Sequence, residues 1–498
     1  MRQTVLLILS LLLGACTNTP STPTLGNPSG PQQPAPDAFD LVFTPASLSL
    51  TNREKATVTY ELQWHSYRGR LSYAPQAVIP SHPNFKVTWQ YDTKSIQIDA
   101  TGAPAGEYKI GVIVSTEDKS RSVTCTLKVT VTQDPRVPAI QAIASQRLQP
   151  GGQVTVPIRI EPPANGTPIQ SVRVSSPDST LVVASLLNNA VVLQASATAP
   201  QQGLIPVTLE VVAGNETASR RIPVQIGDLI DREFERFNAL RAQGNMAPVT
   251  FDAEASMNCW MHGRYRAMNN SRGHNENPNL PYASPEGLAC ASNSNLSTNY
   301  QRPDTLGTVT PFSDRLFSVP FHAVGMLRPG QQTVGIGAFA VLPTGSSTYA
   351  TMAGGITSQG RAAGVPGPLL FPGNGATTDL SRYPGGEWPN PLTACPGLDA
   401  RQVGLPIIAA TLQAGDTTAT EASLTVNGQS VPICAYGSTQ YVNTTDAPGD
   451  YVGGPVSAQD IGRSILRSSG AVFLIPAQPL VPNTTYQASV KINGQPIQ

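Results

Sequence analysis

The chain carries little charge. Asp, Glu, Lys and Arg make up 13% of its 498 residues, about half the ~25% usual in globular proteins. The 32 basic residues balance the 32 acidic ones, so the basic excess of a nucleic-acid binder is missing and nucleic acid is excluded as a partner. Histidine is scarce, with five in the whole chain. No His-Glu-x-x-His helix, Gly-x-Ser-x-Gly elbow or Gly-Lys-Ser/Thr phosphate loop occurs, which removes the most recognisable signals of zinc proteases, serine hydrolases and P-loop enzymes. Beyond the first residues no apolar run approaches the ~20 residues that cross a bilayer as a helix.

Proline and glycine are plentiful instead, at 46 and 43 residues. They punctuate almost every segment, which disfavours long helices and points to short strands joined by turns. A hydrophobic share of 40% suffices for packed cores, and the length calls for three or four units at roughly 100–200 residues each.

The amino terminus reads as a bacterial lipoprotein signal. Arg2 precedes the apolar run Val5–Leu13, and Leu13-Gly14-Ala15-Cys16 looks like a lipobox. Small residues admit a signal peptidase, and the Cys16 thiol takes the lipid. Residues 1–16 are thus expected to leave a lipid-anchored chain in the bacterial cell envelope, facing periplasm or exterior, with the membrane as one partner. Residues 17–37 carry Pro20, Pro23, Pro28, Pro31, Pro34 and Pro36 among polar residues and read as an extended spacer.

Residues 38–133 and 134–227 are expected to form two immunoglobulin-like sandwiches. Tyr108, Ile110, Val112 and Val114 alternate, then Val123, Cys125, Leu127, Val129 and Val131. The second segment repeats the pattern with Ile205, Val207, Leu209 and Val211, then Ile222, Val224 and Ile226. Period-2 alternation marks half-buried strands, and turn signals at regular spacing suggest sandwiches. Near an anchor, such modules are expected to act as spacers.

Composition changes near Asp228. Ile230, Phe234, Phe237 and Leu240 fall on one helical face with Arg241 at its edge, and Gly244-Asn245 ends the helix. Asp252 is placed to cap a second helix with Ala255, Cys259 and His262 on one stripe. Three of the five histidines, His262, His274 and His322, lie in this stretch, which makes it the best place for any chemistry. His262, on the helix, reads as structural.

Residues 228 to about 360 resemble the CAP superfamily, the SCP-like extracellular proteins, and a CAP-like domain is expected over 228–368. The resemblance rests on Phe237-Asn-Ala-Leu-Arg241, Gly244, Pro248, Asp252, Gly273-His274, Asn295-Leu296, Pro320 with His322, and Val334-Gly-Ile-Gly337. It implies an α-β-α sandwich in an extracellular setting. It also implies a cleft in which His274 and His322, with two acidic residues, hold a divalent metal such as zinc. At the first acidic position this chain has Ser294. For the second, Asp314 is the loose candidate, and Glu276 or Glu286 could compensate.

From residue 369 to 498 the chain returns to turn-dense β character, with Tyr486, Ala488, Val490 and Ile492 alternating. A C-terminal Ig-like β domain is expected, with Trp388 packed at the domain junction. The run Pro384-Gly-Gly-Glu-Trp-Pro389 looks like the β domain that follows some bacterial CAP domains. Setting Cys16 aside, Cys259 and Cys290 share the helical stretch and Cys395 and Cys434 share the last module, so these are expected to pair as disulfides. Cys125 is left as a buried free thiol.

The expectation is a multidomain, mostly β lipoprotein with one α+β domain, presenting a CAP-like cleft that recognises an extracellular ligand (a lipid, glycan or protein) without catalysis. A metal-dependent hydrolase acting on envelope material, with Glu276 or Glu286 as general base, is one alternative. A structural or adhesive surface protein is the other.

Overall fold

The computed structural model describes residues 39–64, 71–79, 84–90, 92–116, 122–301, 312–342, 350–359 and 367–497. Cys16 and the spacer expected over 17–37 lie outside them. The chain divides into two compact units, one ending at Val137 and one beginning at Pro138. Most regular structure is strand, arranged in several sheets. Among the described residues no helix is long and apolar enough to cross a membrane.

In the first unit two four-stranded sheets enclose one core. One sheet runs Phe39–Thr44, Lys55–Trp64, Ser95–Asp99, Lys86–Gln90; the other runs Ser47–Thr51, Ser122–Thr132, Gly106–Thr116, Leu71–Ile79. Tyr108 pairs with Val129 and Val112 with Cys125, so the alternating residues share one face and are buried against Leu41, Phe43, Val58 and Ile96. Cys125 is fully buried as its register requires. It is not the free thiol expected, because it is disulfide-bonded and no described cysteine is free.

The second unit begins with another pair of sheets. Gln146–Leu148, Glu216–Ile226, Gln202–Ala213 and Ile169–Ser175 form one; Gln153–Pro157, Ala190–Ala195 and Val182–Leu187 form the other. Ile205 pairs with Val224 and Val207 with Ile222, and all four are fully buried. This core does not close on itself. Trp260 and Phe339, from the segment after residue 228, belong to it, and Gln202 accepts from Trp260 Nε1 while its amide donates to the Ala340 carbonyl at 2.6 Å.

Helices α1 (Leu229–Gln243), α2 (Ala253–Asn269), α3 (Pro285–Ala291), α4 (Phe312–Phe317) and α5 (Pro320–Met326) surround a sheet of Thr250–Phe251, Thr333–Val341, Ala350–Gln359 and Ser294–Gln301. Asp252 caps α2 as expected, its side chain accepting from Ala255 N at 2.9 Å. The helix lies directly on the glycines of Val334-Gly-Ile-Gly337. A Cβ at Gly337 would stand 2.3 Å from Trp260 N, and one at Gly335 2.4 Å from the Ala255 Cβ. Only glycine permits that approach.

Phe237 enters the core, Asn238 exchanges two hydrogen bonds with the Val249 backbone, and Arg241 is fully buried. Expected at the edge of its face, Arg241 instead gathers the carbonyls of Ala247, Met326 and Arg328 and the Gln331 side chain. Glu233 is likewise buried and caps α4, accepting from Phe312 N, Ser313 N and Ser313 Oγ.

The last segment has two four-stranded sheets: Leu369–Phe371, Ile407–Ala410, Ala471–Pro476, Ile433–Gly437, and Gln429–Ser430, Ala419–Val426, Tyr486–Ile492, Gln495–Ile497. The β expectation did not include α6 (Ala458–Ser469). It is capped by Ser457, which accepts from Asp460 N, and closed by Gly470 in the left-handed region at φ 60°. Phe371, Tyr436, Tyr441 and Phe473 join Phe237, Phe312, Phe317 and Phe321 in one core. The disulfides Cys259–Cys290 and Cys395–Cys434 both form.

Candidate functional site

His274 follows a glycine because the chain here runs against the hairpin of Gly449–Tyr451 and Gly454–Val456. A Cβ at Gly273 would stand 2.7 Å from the Asp450 carbonyl oxygen and Cβ. The His274 amide donates to Asp450 O at 2.8 Å, and its ring stacks on Tyr451 with centroids 4.8 Å apart. Trp388 extends this wall. It lies 5.9 Å from Tyr451, packs over Gly449 and donates from Nε1 to Ala447 O. Trp388 thus packs within its own segment, on the hairpin whose Tyr451 carries the His274 ring.

His274 Nδ1 lies 2.9 Å from the Ala291 carbonyl. A carbonyl only accepts, so Nδ1 carries the hydrogen and Nε2 is bare. Burial, reinforced by the charges of His322, Arg266 and His262, pushes the His274 imidazole down to about 4 against the pull of Ala291. It is neutral at physiological pH. His322 is among the charges that act on His274.

His322 sits in the first turn of α5, which opens with Pro320 and has no cap from its own Val319 side chain. The cap comes from Glu387. One carboxylate oxygen, Oε1, accepts from His322 N at 3.0 Å and lies 2.8 Å from His322 Nδ1. The Glu387 side chain is 0% exposed and that of His322 16%. Full burial raises the Glu387 carboxyl above its ordinary range, against His322 and the backbone amides of His322 and Phe321, which favour its charge. Its Oε2 is buried without a hydrogen-bond partner.

The acidic candidates go elsewhere. Glu276 is buried and accepts from Ser284 N at 2.7 Å, with Oε1 2.8 Å from His262 Nδ1. His262 is thus structural, as expected, and burial holds its imidazole below the ordinary value. Asp314 pairs with Arg236, which also reaches Asp379. Glu286 is half-buried in the first turn of α3. Ser294 Oγ is buried without a partner. Arg266 is buried beneath, donating to the Ser297 and Gly354 carbonyls and Thr298 Oγ1, and burial pushes it down to about 10.

Glu387 was missed. Its only signal was a carboxylate amid Pro384-Gly-Gly and Trp-Pro389, where glycine and proline leave little reason for a solvated charge. A separate groove of about 970 Å³, in the last segment between Leu370, Ile407, Leu474 and Val490, contains none of the expected site residues.

No protein-family model matches the chain, and no curated protein matches it. Among solved structures it is similar to a chimeric titin Z1Z2-Z1Z2 tandem functionalized with a GRGDS peptide from fibronectin, at 14% identity over 36% of this chain and 95% of that one, with a TM-score of 0.19. It is also similar to tandem Ig repeats of Dlar, at 13% identity over 38% and 97%, TM-score 0.16. A third is an endo-fucoidan hydrolase of glycoside hydrolase family 107, at 13% over 36% and 27%, TM-score 0.16. Scores this low carry no argument about activity. The protein is a mostly β chain of several sheets, with immunoglobulin domains among its structural neighbours.

Proposed function

We propose that the protein is a lipid-anchored, CAP-like recognition protein of the bacterial cell envelope, whose cleft binds an extracellular ligand without catalysis. The observation that supports this reading is the His274 imidazole stacked on Tyr451, with the Trp388 ring beside it. An aromatic wall beside a few convergent polar atoms is how ligand sites combine shape with orientation. The two described disulfides support a non-reducing setting.

The metal-hydrolase reading has less to stand on. A catalytic zinc takes three protein ligands, and among the described residues no group of three histidines, cysteines or carboxylates gathers. Ser294 occupies the first acidic position, and Asp314, Glu276 and Glu387 are committed to Arg236, His262 and His322. The residues present do not fit a hydrolytic metal centre, and no reaction step is assigned to one.

The test is an array of bacterial envelope glycans and lipids probed with soluble protein lacking residues 1–37, beside His274→Ala/His322→Ala. Binding that the double variant loses supports the reading. Binding that it keeps overturns the assignment to this cleft. Turnover of an arrayed compound would revive the hydrolase.

A further inference from the structure

Val182–Leu187 is an edge strand of the three-stranded sheet in the second sandwich, paired to Ala190–Ala195. Leu187 and Ala190 flank a two-residue turn, so they exchange both ladder hydrogen bonds. By alternation Ser185 does the same with Val192, and Val183 with Gln194. Ala184 and Leu186 therefore point their N–H and C=O groups away from the sheet. Among the described residues neither backbone has a partner there. Val183 and Leu187 are 53% and 57% exposed on the outer face, with exposed Ser185 between them.

Sheets commonly blunt such an edge with a charge or a proline. The opposite edge of this sheet, Gln153–Pro157, is blunted in that way. Pro157 lies opposite Ala190, which already bonds to Leu187, so the outward position there holds a nitrogen without hydrogen. The facing sheet is studded with Arg147, Arg173, Glu210, Glu216, Arg220 and Arg221. By contrast, no residue from 179 to 209 is charged, and Val182–Leu187 contains no proline.

We infer that Val182–Leu187 is a self-association edge, to which a second copy of this chain adds its own Val182–Leu187 strand antiparallel, joining two three-stranded sheets into one of six strands. This lies outside the cleft and does not depend on the recognition reading.

The open backbone groups set the register. Ala184 of each copy comes opposite Leu186 of the other, which forms four hydrogen bonds. A two-fold axis then passes between the two Ser185 residues, whose hydroxyls both donate and accept. Val183 of each copy meets Leu187 of the other, an apolar cross-strand pair. Charge favours the same occupant: an uncharged edge meets its own image without repulsion, whereas a charged strand would bring a charge with no counterpart on this sheet. Both open edges are consumed in the pairing and Pro157 blunts the far side, so assembly stops at two.

The experiment uses the full chain in mild non-ionic detergent, followed by sedimentation across a dilution series and by non-reducing electrophoresis. A reversible dimer of the 52.4 kDa chain is expected. Ser185→Cys brings two thiols to the axis, with Cα atoms about 4.5 Å apart, inside the range of about 4.4–6.8 Å that a disulfide spans. Mild oxidation should link it into a reducible dimer. Gln194→Cys, exposed on the same face but three strand spacings from its counterpart, roughly 14 Å, should not link. Ser185→Lys sets two ammonium groups side by side and should weaken association at least tenfold. Ser185 is exposed, so the thermal midpoint of this variant should match the wild type.

A chain that stays monomeric at every concentration overturns the inference. So does a dimer that Ser185→Lys leaves intact, equal linking through Ser185→Cys and Gln194→Cys, or open-ended assembly beyond the dimer.

Discussion

His262 Nδ1 lies 2.8 Å from Glu276 Oε1, and both side chains are almost completely buried. The carboxylate that follows the Gly273-His274 pair by two residues is thus committed to His262. Its other oxygen holds the Ser284 amide at the start of α3, and Oε1 fills the space where a Cβ at Gly287 would stand. The pair joins α2 to α3, which the Cys259–Cys290 disulfide also ties.

Glu276→Ala should therefore cost stability rather than ligand affinity per folded molecule. It strands two buried donors, at roughly 1–3 kcal/mol each, so a loss of about 3 kcal/mol is expected in denaturant titration. Glu286→Ala, at a half-buried helix position, should shift the same curve by less than about 1 kcal/mol. Equal costs for the two would contradict the bracing role.

Two buried groups set opposite pH dependences. Burial raises Glu233 from its ordinary 4.5 to about 7, so the folded state holds a proton that the unfolded chain has lost. That stability is complete below pH 4.5 and is lost as pH rises toward 7. His274 is lowered from 6.5 to about 4. Its contribution is complete above pH 6.5 and is lost as pH falls through 4. At about 1.4 kcal/mol per pKa unit, each amounts to roughly 3 kcal/mol, and across this window they offset. Between pH 4.5 and 6.5, Glu233→Gln should make stability climb with pH more steeply than in the wild type, and His274→Gln should make it climb less or fall. Parallel curves for all three proteins would refute the assignment.

The disulfides close loops of 31 and 39 residues. In the chain-entropy picture each contributes about 3–4 kcal/mol by restricting the unfolded chain. Replacing both cysteines of either pair by alanine should lower the thermal midpoint by several degrees, at about 2–4 °C per kcal/mol for a unit of this size. Unchanged midpoints would argue against either bond.

What the sequence made legible follows from how local each signal is. The cap at Asp252, the stripe of Ala255, Cys259 and His262, and the alternation through Val112 and Cys125 depend on neighbours a few residues away, and the structure has them where the periods put them. Val334-Gly-Ile-Gly337 was recognisable as a motif, although its reason, the seat of α2, needed coordinates. Helix α6 was overlooked although Ser457, Asp460 and Gly470 are sound start and stop signals. Its few apolar residues lie among Arg463, Arg467 and serines, and the surrounding segment is dense in turns.

Buried charge was the larger gap. Glu233, Arg241 and Glu387 look like surface residues until distant backbone amides and carbonyls arrive to satisfy them. No short-range pattern announces a helix cap delivered from 65 residues away. That is why Ser294 read as a missing acid while the carboxylate beside His322 went unnoticed.

The central claim is that recognition resides in the cleft of His274 and His322 and not in the first β unit. The most direct measurement is calorimetric affinity for the best arrayed envelope ligand, compared among soluble wild type, His274→Ala/His322→Ala, and a chain lacking residues 38–137. The account predicts that the double variant loses at least about tenfold in affinity, some 1.4 kcal/mol, while the truncated chain binds like the wild type. Full affinity in the double variant, with loss on removing residues 38–137, would place recognition in the β unit and contradict it.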